Sequence, residues 1–187
     1  MKRIIAFTTL TGICFIFCLA HILTNAVAID YIGFAVDGSE FLYVGGGHQI
    51  RVYDGNKLTK TITNGTERGF AFTIQNGNTI ILSNASIVYE MDLDGNIKNE
   101  YPDPKNQVFS KLQRNKTFTA INGKTYQYRC SWGRTQIYCD GQLIYKMPLY
   151  DYCIKLLLCI SVCSFFGCVL VIVCRTSPIL DQYRKHK

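Results

Sequence analysis

Charge and proline are both missing from residues 156 to 174, LLLCISVCSFFGCVLVIVC. At about 1.5 Å of rise per residue this stretch makes a helix of roughly 28 Å, close to the thickness of a bilayer's hydrocarbon core. Its length, its lack of charge and its basic flanks argue against a helix buried in a soluble core. The usual marks of catalysis are missing as well: there is no Gly-x-Ser-x-Gly elbow, phosphate loop, Cys-x-x-Cys or His-Glu-x-x-His. Histidine is scarce, and His48 is the only one between residues 29 and 149. A His-rich metal site or a Ser/His/Asp triad contained in that region must therefore use His48, so no metal and no cofactor is expected.

The net charge of +7 suggests a nucleic-acid binder until its distribution is examined. Residues 29 to 149 carry 13 Lys/Arg against 11 Asp/Glu, close to balance. The excess lies at the ends, in Lys2, Arg3, Lys155, Arg175, Arg184, Lys185 and Lys187. This is charge that orients a chain in a membrane, with basic flanks kept on the cytoplasmic side. The expected partners are the lipid bilayer and a protein partner or second copy, with no nucleic acid.

Met1-Lys2-Arg3 followed by the apolar Ile4 to Leu23 reads as a signal peptide or a retained first span. Ala26-Val27-Ala28 offers a small-residue cleavage site, while the apolar run is longer than an ordinary signal core. Either outcome gives one topology. Residues 1–28 are the signal or first helix, 29–149 an extracytoplasmic domain, 153–174 a transmembrane helix and 175–187 a short basic cytoplasmic tail.

Between the apolar segments, short alternating runs of Val, Ile, Tyr, Phe and Thr are cut by Asp-Gly and Asn-Gly turns, and no window shows helical periodicity. The pattern recurs. Phe72-Thr73-Ile74-Gln75-Asn76-Gly77-Asn78-Thr79 returns 46 residues on as Phe118-Thr119-Ala120-Ile121-Asn122-Gly123-Lys124-Thr125. Asp54-Gly55-Asn56, Asp94-Gly95-Asn96 and Asp140-Gly141-Gln142 mark the same place in three units. About four strands per unit is the arrangement of β-propeller blades. The expected fold is an all-β exposed domain of about three four-stranded propeller-like repeats, flanked by an N-terminal signal or anchor helix and a C-terminal transmembrane helix.

Residues 33 to 62, GFAVDGSEFLYVGGGHQIRVYDGNKLTKTI, resemble a blade of the NHL-repeat type of β-propeller. The Ala-Val-Asp turn, the Leu-Tyr-Val strand, the Ile-x-Val-Tyr strand and the Asp-Gly-x hairpin follow in that family's order. Residues 69 to 101 keep the pattern more loosely and 117 to 147 faintly. The resemblance implies a scaffold that binds proteins or polymers and sets no reaction. Propellers close with four to eight blades, so three blades leave two arrangements: an open β domain, or a ring completed by a second copy.

Two functions follow. One is a non-enzymatic membrane-anchored binding or scaffold module for a protein or envelope polymer. The alternative is an extracytoplasmic propeller-type enzyme or metal-dependent lyase, completed by oligomerisation and working through His48 with carboxylates such as Asp37 and Asp92. Trp132, His48, Tyr126 and Tyr128 are the candidate binding residues, because turn-borne aromatics and a glycine-rich turn can meet a ligand. For the tyrosines, core and cross-strand packing is the competing role. A hairpin turning through Gly133 to Gln136 would set Cys130 opposite Cys139 and allow a disulfide on the oxidising side of the membrane. Asp92-Leu93-Asp94 resembles the start of a calcium loop but lacks its distal glutamate, so a plain turn is expected. Asn64-Gly65-Thr66, Asn84-Ala85-Ser86 and Asn115-Lys116-Thr117 match the glycosylation pattern.

Overall fold

The computed structural model describes residues 2–24, 30–66, 69–84, 86–113 and 116–176. The possible cleavage site at residues 26 to 28, Asn115 and the tail after 176 lie outside the described residues. The chain divides into two compact units, Asn25–Tyr152 and Met1–Thr24 with Cys153–Lys187.

The terminal unit contains helix α1 (Lys2–Leu23) and all but the first turn of the chain's last helix (Leu149–Thr176). Each has a window long and apolar enough to cross a membrane, Ala6–Leu23 in the first and Leu149–Val171 in the second. The last helix begins at Leu149, four residues before the span read from the sequence.

The other unit holds three four-stranded antiparallel sheets, in each of which the strands follow chain order. The first contains β1 (Gly33–Val36), β2 (Leu42–Gly46), β3 (Gln49–Asp54) and β4 (Lys57–Ile62). The second contains β5 (Ala71–Gln75), β6 (Thr79–Ser83), β7 (Ile87–Met91) and β8 (Ile97–Pro102). A short helix α2 (Gln107–Gln113) leads to the third, made of β9 (Thr117–Thr119), β10 (Thr125–Ser131), β11 (Arg134–Cys139) and β12 (Gln142–Lys146). The last helix of the chain is α3 (Leu149–Thr176). Each sheet carries a register shift where its third strand meets its fourth, at Val52/Tyr53, Glu90/Met91 and Ile137/Tyr138. The repeats are thus repeated in structure, bulge included, and fit propeller-like blades. They do not close into a ring.

Strand alternation explains how the sheets stack. In the first sheet Ala35, Tyr43, Ile50 and Val52 pack with Phe72, Ile74, Ile80 and Leu82 of the second. Their neighbours Phe34, Val36, Leu42 and Val44 point the other way, against Tyr126, Ile137 and Tyr145 of the third. The first sheet is therefore the middle layer, buried on both faces. Its inner strand β1 lies beside β5 and β9, the inner strands of its neighbours. Gly45 is required by this packing, since a Cβ there would stand 2.7 Å from the Phe72 ring.

Helix α2 covers β5 and β6 and corrects the expectation that no helix lies between the apolar segments. Asp103 starts it: its carboxylate accepts the backbone N–H groups of Gln107 (3.0 Å) and Val108 (2.9 Å). The far face of the third sheet is polar. The register sets Gln127 opposite Tyr138, and Arg129 opposite Gln136, which in turn faces Lys146. Arg129 lies over the Tyr138 ring at 4.6 Å.

Candidate functional site

Strand direction sorts the turns of the β unit into two groups. One end collects the first and last turns of each sheet, at Asp37 to Phe41, Gly55, Gly77, Asp92 to Asn96, Asn122 and Gly141. The other end collects the middle turns at His48, Asn84 and Trp132, where the chain also enters at Asp30 and leaves at Leu149.

At the first end the three sheets are tied together through their turns. Gly38 N–H donates to the Gly77 carbonyl at 2.8 Å, an approach so close that a Cβ on Gly77 would stand 3.0 Å from Gly38 N. Glu40 holds a positive φ of 69°, uncommon for a residue with a side chain. In that conformation its carboxylate accepts from Lys124 Nζ at 2.5 Å and from Asn122 Nδ2 at 2.8 Å. The Lys124 hydrogen bond holds the Glu40 carboxyl below its usual range, and the same bond raises the Lys124 ammonium. Lys60 and Asp94 make the corresponding link between the first and second sheets at 2.6 Å. Beside Gly77 stands Ile121, 71 % exposed amid this polar network. A cleft of about 650 Å³ opens between the first and third sheets, lined by Glu40, Asp54, Lys124, Tyr126, Asp140 and Gln142.

The carboxylates proposed to serve an enzyme are used up in turns. Asp37 Oδ1 accepts from Ser39 N and Phe41 N, each at 2.9 Å, and its Oδ2 from the Tyr43 hydroxyl at 3.3 Å. Asp92 accepts from Asp94 N, Asn96 N and Asn96 Nδ2 at 2.9 to 3.0 Å, which closes a turn in place of a calcium loop. Both lie at the end of the unit opposite His48, so the structure does not bring the three together. His48 Nδ1 is 3.3 Å from the Thr66 carbonyl, and the buried Thr66 hydroxyl lies 2.5 Å from the His48 carbonyl. That turn edges a cleft of about 550 Å³ with Asn64, Asn84, Tyr89 and Glu100. Among the described residues no group of three or more His, Cys, Asp or Glu is placed to hold a metal ion.

Two expectations are corrected by the register. The β10–β11 hairpin turns at Trp132-Gly133, both with positive φ, and not through Gly133 to Gln136. Cys130 therefore faces Thr135 and Cys139 faces Tyr126, so the two cysteines are four pairs apart, about 13 Å along the strands, beyond disulfide reach. Both are free thiols. Tyr126 is buried between the first and third sheets, and Tyr128 stacks on Tyr31 with centroids 4.0 Å apart. Both rings take part in packing, and Tyr126 also lines the cleft between the first and third sheets. Trp132 is different, 93 % exposed at the hairpin tip. Two of the sequon asparagines brace turns: Asn64 Nδ2 donates to the Gly95 carbonyl at 2.7 Å, and Asn84 Oδ1 accepts from Ile87 N at 3.1 Å.

Glu40, Asn122, Lys124 and Ile121 were not singled out from the sequence, since more than 80 residues separate Glu40 from its partners. The available signal was the 46-residue repeat, which places Asn76-Gly77 and Asn122-Gly123 at the same turn of adjacent units.

No protein-family model matches this chain, and no curated protein matches it. Among solved structures it is similar to a streptogramin B lyase, with 13% sequence identity and a TM-score of 0.35, over 64% of this chain and 40% of that one. It is also similar to a protein of unknown function from Bacteroides caccae, with 9% identity and a TM-score of 0.33, over 64% of this chain and 46% of that one. The match thus spans less than half the length of either structure.

Proposed function

We propose that this chain is a non-enzymatic, membrane-anchored module whose β domain lies outside the cytoplasm and binds a protein or an envelope polymer. One observation carries the reading. The chain joins its apolar segments at one end of the β unit, and the opposite end holds a braced cluster of turns around an exposed isoleucine. An apolar centre with a polar rim is the pattern of a protein interface. The basic flanks of both apolar segments orient the domain outward. An NHL-type reading of the blades agrees, since such blades serve as binding scaffolds. The domain works as an open stack of three sheets: closing a ring with a second copy would bury the charged Arg129 and Lys146 together with Gln127 on the far face of the third sheet.

The test is site-specific photocrosslinking of the full chain in its own membranes. A photoreactive residue at Asn122 should capture a defined partner, and one at Gln127 on the polar sheet face should not. Ile121→Asp should abolish capture while the domain stays protease-resistant. With Cys130, Cys139 and Cys153 replaced by serine, a membrane-impermeant thiol reagent should label Gln142→Cys and miss Gln182→Cys in intact cells. A turnover abolished by His48→Ala in a folded protein would replace this reading with an enzymatic one.

A further inference from the structure

The first turn of α3 belongs to the β unit, and it and the preceding Met147 are fastened to the β10–β11 hairpin by two contacts each. Met147 N–H donates to the Thr135 carbonyl at 2.8 Å, and Arg134 Nε donates to the Met147 carbonyl at 2.8 Å. The Arg134 guanidinium lies over the Tyr152 ring at 5.5 Å, and the Tyr152 hydroxyl donates to the Trp132 carbonyl at 3.0 Å. Tyr152 is followed, after only Cys153, Ile154 and Lys155, by the uncharged stretch from Leu156 to Cys174. The hairpin tip is thus bonded to a residue only four positions before the apolar stretch.

The side chains around this joint have a shared chemistry. Trp132 is almost fully exposed and adopts a positive φ of 51°, in a tight turn that ordinarily takes Asn, Asp or Gly. Leu149 and Tyr150 are exposed nearby in sequence. A shallow cleft of about 280 Å³ beside the tip is lined by Trp132, Ser131, Arg134, Gln136, Lys146 and Tyr152, two cations with hydroxyl, amide and aromatic groups and no carboxylate. Tryptophan and tyrosine concentrate at membrane–water interfaces, where an amphipathic ring sits at headgroup level, and nearby Lys or Arg are drawn to anionic lipid.

We propose that the β10–β11 hairpin is a membrane-interface anchor, with Trp132 seated in the headgroup region and the Arg134/Lys146 cleft against an anionic lipid headgroup. The assignment rests on the reading of residues 156 to 174 as a span. It takes Trp132 out of the partner-binding role expected from sequence and gives the hairpin the job of holding the domain against the bilayer.

Trp132 is the chain's only tryptophan, so its fluorescence reports on this site alone. The full-length protein is reconstituted into vesicles of zwitterionic lipid with and without anionic lipid, and into matched vesicles whose acyl chains are brominated near the headgroup. The expected result is blue-shifted emission, strong quenching by the brominated lipids and weak quenching by aqueous acrylamide. Moving the tryptophan to the opposite end, in Trp132→Phe with Asn122→Trp, should reverse both quenching results. Lys146→Gln should lower the preference for anionic over zwitterionic brominated lipid by up to about fivefold, the factor for one near-surface charge. Water-like emission that acrylamide quenches and brominated lipid does not would overturn the anchor. Alkaline extraction separates the two failures: protein that stays in the pellet while Trp132 is in water refutes the anchor alone, and protein released at high pH refutes the span.

Discussion

The first and third sheets have the same strand order and the same bulge position, yet they are covered differently. Both faces of the first sheet are buried, so almost every residue of β2 and β3 is constrained by a neighbour. The third sheet packs one face and leaves Gln127 and Arg129 on the other exposed. Half of its positions are therefore free to vary. This is why the blade pattern is plain in residues 33 to 62 and faint in 117 to 147: a repeat is legible in proportion to how much of it is packed.

The comparison breaks most sharply at a buried ion pair that ties the first sheet to the first turn of α3, directly after the third sheet. Arg51, on the face of β3 turned toward the third sheet, meets Asp151 at 2.6 Å, with side chains 12% and 5% exposed. Tyr145 and Tyr53 lie in the same core, with ring centroids 5.0 Å apart. Burial, with the Tyr53 hydroxyl second, pushes the Tyr145 hydroxyl far above its ordinary value, so it stays protonated. Removing one member of a buried pair leaves an uncompensated charge, and Asp151→Ala should cost about 3–5 kcal/mol. The double replacement Arg51→Met with Asp151→Leu should recover most of that. Pulse proteolysis of the full chain in a urea series measures both. An Asp151→Ala loss below about 1 kcal/mol, the range of an exposed pair, would show that the two sheets are not coupled through this contact.

Single side chains test the coverage itself. Ile50, fully buried in the first sheet, should lose about 2–5 kcal/mol as alanine, because a cavity opens between two packed layers. Gln127→Ala, on the open face of the third, should fall within about 0.5 kcal/mol of the parent. Equal losses would mean that the far face of the third sheet is covered after all, most directly by a second copy, and the ring-closing dimer would return.

Packing also decides what could be read in advance. The strands, the three units and the Asp-Gly turns were legible because alternation and glycine leave local marks. Helix α2 was not, since seven residues make only two turns and carry too little periodicity to stand out from the loop around them. The sole local mark there is Asp103-Pro104, a start signal read only after the helix is seen. The β10–β11 register was misread because a two-residue turn with positive φ at both positions is expected at Asn-Gly or Asp-Gly, and here it falls on Trp-Gly. That shift alone separated Cys130 from Cys139. The brace at Glu40 was invisible for another reason: its partners come from a sheet that follows some 80 residues later.

The smallest effect is a pH dependence at that brace. Glu40 and Lys124 join the first and third sheets at their solvent-exposed end, so their contribution is small and screened by salt. The folded Glu40 carboxyl lies below its unfolded value, chiefly through the Lys124 hydrogen bond. Its stabilising contribution is therefore full above the unfolded pKa of about 4.3 and disappears as pH falls through the folded value. Lys124 is raised, so its share is full below about 10.4 and is lost as pH climbs through the folded value. Between those limits the brace is intact. Urea midpoints of the parent and Glu40→Gln should differ slightly at pH 7, converge on acidification below the carboxylate range, and draw together in high salt at neutral pH. Glutamine keeps a hydrogen-bond acceptor for Asn122 but not the charge, so a difference that persists unchanged into acid would assign the effect to the strained backbone at residue 40 and not to the ion pair.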